Sequence, residues 1–261
     1  GTDTAFDPGQ MKIGRRLAIK ILNASKFALG LGDGAAAGSP DSAGTVTEPI
    51  DQAMLSQLAD LVEEATAAFE GFDYARALQR TETFFWSFCD DYLELVKGRA
   101  YRDDDSAASA HLALRTALST LLRLFAPFLP YATEEVWSWC GDETDRLDGF
   151  ETQSVHRAPW PTAEEIRAVG GGSGGADASV LTVTAEVLGR IRKAKSDAKA
   201  SMRADVETVT VTDTAARIAA LRLAEADLLD AGKATELLTV EGPDDGEPTV
   251  EVVLSPTTAE G

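Results

Sequence analysis

"YARALQRTETFFWSFCDDYLELVKGRA", Tyr74–Ala100, carries the plainest periodicity in this 261-residue chain. Tyr74, Leu78, Thr81, Phe85, Phe88, Tyr92 and Leu95 recur at alternating spacings of four and three. At 3.6 residues per turn these positions fall on one stripe. A stripe that long must face other helices, so the stretch predicts one long helix in an antiparallel bundle. Asp73 stands before it as an N-cap, and Gly71 closes the helix that precedes it.

That preceding helix is predicted over Pro49 to Glu70, with Met54, Leu55, Leu58, Leu61, Val62 and Phe69 on its core side. Further upstream, residues 11–30 read as a helix with Ile13, Leu17, Ile21, Ala24 and Ala28 as its apolar face, ended by Gly30 and Gly32. Residues 33–48 are small, polar and Pro/Gly-bearing, and read as a surface loop. Downstream, a Leu- and Ala-rich helix runs from about Ser106 to Phe125 and stops before Pro127 and Pro130. A short helix after Thr133 carries Val136, Trp137 and Trp139, and residues 141–165 read as irregular, with "SVHRAPWP" (Ser154–Pro161) extended around its prolines.

Beyond the Gly-rich stretch the pattern changes. A helix is expected over 179–199, then a strand in "VETVTVT" (Val206–Thr212) and an Ala/Leu helix over 214–231. Strand-like runs "TELLTVE" and "TVEVVLS" follow, with "GPDDGEP" as a hairpin-like connection. The expected fold is mainly α: an antiparallel helical bundle over 1–165, a Gly-rich linker over 166–178, and a long helix plus a small α/β module over 179–261.

The chain carries 24 basic against 43 acidic residues, a formal charge of −19. Such an excess argues against indiscriminate binding of polyanions but leaves room for a local basic site. No apolar run approaches the roughly 20 residues that span a bilayer, and no signal peptide is legible. Cys89 and Cys140 read as two separate buried thiols of a reducing compartment. Neither His111 nor His156 has a partner at metal-ligand spacing, so no metal ligand is assigned. No Gly-rich phosphate loop, nucleophile elbow or His-centred triad is present, so no residue is assigned a catalytic role. Asp90, Asp91 and Glu94 read as a solvated acidic patch or as partners of nearby Arg and Lys.

Two stretches break the acidic trend. Lys12 to Gly30 holds five Lys or Arg and no Asp or Glu. On a helix, Arg16, Lys20, Asn23 and Phe27 fall in one narrow sector beside the apolar row. Cations attract phosphates, a ring stacks on a splayed base, and an amide reads a base edge, so this set suits single-stranded RNA. A plain solvated helix edge with Phe27 in the core is the competing reading. The second stretch holds Arg190, Arg192, Lys193, Lys195, Lys199 and Arg203. Arg192, Lys195 and Lys199 share a helical side there, and a phosphate contact and a solvated face explain them equally well.

These segments, in this order, resemble the anticodon-binding region of the class I aminoacyl-tRNA synthetases for valine, isoleucine and leucine. "KIGRRLAIKILNASKFAL" is similar to the helix that opens that region, and "FFWSFCDDYLELVKGRAY" to its aromatic Cys-Asp-x-Tyr-Leu-Glu-x-x-Lys helix. "LLRLFAPFLPYATEEVW" and "SVHRAPWP" resemble the segments that close the bundle. Cys89-Asp90 and Trp160-Pro161 point to the valine enzymes, although Asp91 stands where many of those carry Trp. The resemblance implies that Lys20 and Phe27 contact the anticodon, with Asn23, Arg16 and Arg15 added from the helical-face argument. It implies valine tRNA as partner and recognition of the A and C of its anticodon. It further implies a monomeric, cytoplasmic ligase whose catalytic and editing domains, with ATP and Mg, lie elsewhere in the same longer chain. The opening "GTDTAFDPGQ" is similar to the stretch just after the Lys-Met-Ser-Lys-Ser motif of these enzymes. Neither that motif nor His-x-Gly-His occurs in the 261 residues, so the covered part is expected to be inactive alone. A long C-terminal coiled-coil arm, found in many valine enzymes, is either removed or naturally absent. The equivalent region of an isoleucine or leucine enzyme, and a helical interaction module without an RNA role, remain the alternatives.

Overall fold

The computed structural model describes residues 7–31, 45–141, 150–171, 177–243 and 246–256. The opening stretch, most of the 33–48 loop and most of the glycine run lie outside the described residues. Helix α1 spans Pro8–Gly30, with the Asp7 carboxylate accepting from the Gly9 amide at its start. Helix α2 spans Pro49–Glu70, entered by a proline whose missing N–H costs nothing there and closed by Gly71. Helix α3 runs Tyr74–Ser87, capped by Asp73, and passes through a five-residue π turn, Phe88–Tyr92, into α4, Leu93–Ala100. Helix α5, Asp105–Phe125, is capped by Asp104, and α6 spans Pro130–Ser138.

Helices α2 and α5 form the centre of the bundle. Ile50, Met54, Leu58, Leu114, Leu121 and Phe125 are buried, each such side chain contributing about 1.5–3 kcal/mol of apolar burial. The stripe on the third helix lands as its spacing predicts for Thr81, Phe85, Phe88, Tyr92 and Leu95, all buried. Tyr74 at its outer end is exposed.

Several expectations change. Helix α6 begins at Pro130, three residues before Thr133, whose hydroxyl bonds back to the Leu129 carbonyl inside the helix. Residues Val155–Arg157 form a 3-10 turn, and Ala163–Val169 form helix α7 where an irregular segment and a linker were expected. Helix α7 buries Ile166 and packs on α2 and α5, so a domain boundary at 165 would cut a packed helix. Helix α8 spans Ser179–Asp197, two residues shorter than expected. The Ala/Leu segment is two helices, α9 (Ala215–Arg222) and α10 (Glu225–Gly232).

Strands β1 (Val206–Asp213), β2 (Ala234–Glu241) and β3 (Thr249–Leu254) pair in the order β2-β1-β3. β1 pairs parallel to β2 and antiparallel to β3. "GPDDGEP" is therefore not a hairpin: it crosses from one edge of the sheet to the other. Among the described residues, β3 pairs with the free edge of β1 and leaves the outer edge of β2 unpaired.

A buried ionic network joins this module to the bundle. Arg99 is 4% exposed and grips both oxygens of Asp51 through Nη1 and Nη2 at 3.0 and 2.8 Å. Its Nε donates to Asp227 of α10 at 3.0 Å, and its Nη1 also donates to the Ser106 carbonyl at 2.6 Å. The Tyr92 and Ser109 hydroxyls donate to the same Asp51 carboxylate, each at 2.8 Å. Burial opposes the Arg99 charge, but the Asp51 and Asp227 hydrogen bonds outweigh it and raise its pKa. Helices α2, α4, α5 and α10 thus share one polar knot, which holds α4 in place beside α1.

Candidate nucleic-acid interface

The basic helix α1 lies against the bundle through Leu17, Ile21 and Ala24. Ile13, expected in that face, is 48% exposed because the buried row narrows toward the N-terminus. Arg15, Arg16 and Asn23 are exposed and Phe27 is half-buried. Between α1 and the π turn with α4 lies an open groove of about 200 Å³. Lys20, Asn23 and Phe27 line one wall, facing Cys89, Glu94 and Lys97 on the other. Three of the residues set apart by the helical sector therefore meet in one groove. Arg15 and Arg16 lie outside its lining, one turn toward the N-terminus.

Lys20 is not a bare cation. Its Nζ lies 2.8 Å from Asp90 Oδ1, and 5.7 Å from the centre of the Trp86 ring. Partial burial disfavours its charge, but the Asp90 hydrogen bond prevails and raises the pKa, so the ammonium stays protonated. The pair is half open, with side chains 35% and 57% exposed. Ion pairs this exposed contribute at most about 1 kcal/mol, so an incoming phosphate can replace the Asp90 carboxylate. Burial pushes the Cys89 thiol up to about 12, so the thiol itself stays protonated.

At the far end of the groove the Phe27 ring meets the Tyr101 ring edge-on, with centroids 6.1 Å apart and planes at 76°. Lys97 Nζ sits 5.9 Å from the Phe27 centroid. On the other edge of α1, Lys26 lies over the Trp139 ring.

The second basic stretch divides. Arg192 donates from Nη1 to the Asp90 carbonyl at 2.7 Å and lies 3.8 Å from Asp91 Oδ1. The two basic stretches, far apart in sequence, therefore converge on the π turn from opposite sides. Lys195 does not belong with them: it is 2% exposed, and its ammonium donates to the carbonyls of Gly232 and Met202 at 2.8 and 3.2 Å. It follows Thr184, Leu188 and Ile191 along the buried row of α8, and this removes it from any phosphate-facing side. Lys199 is exposed but lies past the helix end at φ +54°, so it does not continue the side that carries Arg192.

Asp90 and Asp91 serve as partners of Lys20 and Arg192, one of the two readings open to them. Sequence reasoning missed Lys97 and Tyr101 as neighbours of Phe27. They lie four residues apart at the C-terminal end of α4, but nothing local in the sequence tells that this end packs beside α1. Among the described residues no group of three His, Cys, Asp or Glu could hold a metal ion, and no helix is long and apolar enough to cross a membrane.

A family model described as the anticodon-binding domain of tRNA ligase matches residues 51–211, from α2 through β1. Helix α1 lies upstream of that match. The chain is 54% identical over 257 residues to a valine--tRNA ligase of Thermobifida fusca, covering 98% of this chain and 27% of that protein. A valine--tRNA ligase of Salinispora tropica is 49% identical over 267 residues, covering 97% of this chain and 29% of the relative. One from Salinispora arenicola is 50% identical over 257 residues, covering 92% and 28%. The chain thus spans less than a third of the length of these relatives.

Proposed function

Because the chain belongs to the anticodon-binding domain family of tRNA ligases, we propose that the groove between α1 and α4 receives unpaired bases of an anticodon loop. The observation that carries this reading is the meeting of Lys20, Asn23 and Phe27 on one wall of that groove. Phe27 offers a ring for a base, Asn23 a donor and acceptor for a base edge, and Lys20 a charge for phosphate. Arg15, Arg16 and Arg192 supply the surrounding field for the RNA backbone, and Lys199, off the side that carries Arg192, is not counted among them. Lys195 has no part in it.

The resemblance to the valine enzymes and the valine--tRNA ligase relatives support valine tRNA as the partner, with the A and C of its anticodon read here. On this reading the chain is part of a monomeric cytoplasmic ligase that joins valine to its tRNA using ATP. Its contribution is to hold the anticodon end so that the acceptor end reaches the reacting groups. The residues present do not fit ATP or Mg: the chain has no glycine-rich phosphate loop after a strand, and among the described residues no group of three carboxylates could hold a metal ion. Activation chemistry belongs to other domains of the longer protein.

The test is a titration of the chain with a labelled hairpin RNA bearing a valine anticodon, between about 50 and 200 mM salt. Three phosphate contacts, at Lys20, Arg16 and Arg192, predict a log–log slope of about −2, from roughly −0.7 per single-strand contact. Affinity that does not change with salt would reject an RNA site and favour a helical interaction module.

A further inference from the structure

Tyr101 is not used by the reading above, yet it is one of the most exposed aromatic rings in the chain, 68% exposed at the C-terminal end of α4. It stands against the ring that reading relies on, edge-on to Phe27 with planes at 76°. Two rings at nearly a right angle cannot stack on the same base, because a base parallel to one is edge-on to the other. They can hold two bases turned sharply apart. Lys97, 49% exposed, lies 5.9 Å from the Phe27 centroid and 3.6 Å from Glu94 Oε1, an exposed ion pair weak enough for a phosphate to replace the carboxylate. The buried knot at Arg99 fixes the backbone from which both Lys97 and Tyr101 project.

We propose that Tyr101 is a second base-stacking residue of this site, and that Phe27 and Tyr101 hold two successive unpaired nucleotides splayed apart, with Lys97 on the phosphate between them. The proposal rests on the RNA reading of the groove and deepens it. Splaying unstacks neighbouring bases and exposes edges that a stacked loop conceals, which is the condition for reading each one separately. Stacking on an aromatic ring supplies the affinity that offsets the lost base–base contact.

The experiment uses the whole chain and hairpin RNAs with 2-aminopurine placed at each loop position in turn. Tyr101→Leu keeps apolar bulk and removes the ring; Tyr101→Phe keeps the ring. Tyr101→Leu is expected to weaken hairpin binding by about tenfold and Tyr101→Phe by less than about twofold. In the bound state, Tyr101→Leu is expected to relieve fluorescence quenching at one loop position, and Phe27→Leu at the adjacent position. If Tyr101→Leu leaves both affinity and quenching unchanged while Phe27→Leu does not, Tyr101 is no stacking residue and the anticodon reading stands without it. Equal dequenching at all positions by Tyr101→Leu would also overturn the proposal, since it marks a general loss of structure. If the unsubstituted chain binds no hairpin, the RNA reading itself falls.

Discussion

Replacing Arg99 with methionine is expected to destabilise the folded chain by about 3–5 kcal/mol. Methionine keeps much of the length of the side chain but removes the charge. Asp51 and Asp227, both buried, would then face each other's charge without a cation, and Asp51 would keep only the Tyr92 and Ser109 hydroxyls as donors. Leaving one side of a buried pair uncompensated is what makes such changes severe; the pair itself adds far less when it is replaced as a whole. Adding Asp51→Asn and Asp227→Asn to Arg99→Met is therefore expected to restore part of the loss. Arg99→Lys should fall between, since one ammonium cannot reproduce the two-pronged contact with Asp51. Urea denaturation followed by circular dichroism measures each step. A loss below about 1 kcal/mol for Arg99→Met would show that the knot is not what joins the sheet module to the bundle.

Phe27→Leu is expected to weaken binding of a hairpin carrying a valine anticodon by about 1–3 kcal/mol while leaving the urea midpoint nearly unchanged. Phe27 has two roles that must be separated. One side packs against the core, and the other forms the wall of the groove beside Lys97 and Tyr101. Leucine preserves most of the first role and abolishes the second, which is why it is preferred to alanine. Lys20→Ala should act differently, lowering the salt slope by roughly 0.7. Its effect on affinity is expected to be smaller, because in the free protein Lys20 already has Asp90 as a partner to give up. Unchanged affinity in Phe27→Leu, measured by fluorescence anisotropy, would reject the assigned wall.

The helices were legible where their signals are local. Pro49 and Gly71 bracket α2, Asp73 and Asp104 cap their helices, and the stripe from Thr81 to Leu95 repeats often enough to define a buried side. What was not legible depends on partners distant in sequence. Nothing near Lys195 tells that its ammonium ends on the Gly232 carbonyl. Alternation identified β1, β2 and β3 as strands but carries no information on which edge β3 takes. Helix α7 has a single turn of useful pattern around Ile166, and its burial against α2 and α5 decides it.

The site was half legible for the same reason. The absence of acids from Lys12 to Gly30 marked α1, and helical spacing brought Lys20, Asn23 and Phe27 together. The opposite wall comes from a helix distant in sequence, and no local signal tells that it packs beside α1, so Glu94, Lys97 and Tyr101 were not placed against them. Lys20 of the basic helix is paired with Asp90, and on the RNA reading the acidic remainder of this chain of net charge −19 discourages RNA from other surfaces.

The central claim is that this groove reads the letters of an anticodon, and one comparison tests it most directly. The whole chain is titrated with a hairpin carrying a valine anticodon and with the same hairpin after its A and C are exchanged for other bases, at one salt concentration. A preference of at least about tenfold for the valine sequence is predicted, from the discrimination that one well-made base contact provides. Equal affinity for both hairpins, or preference for an isoleucine or leucine anticodon, would contradict the account.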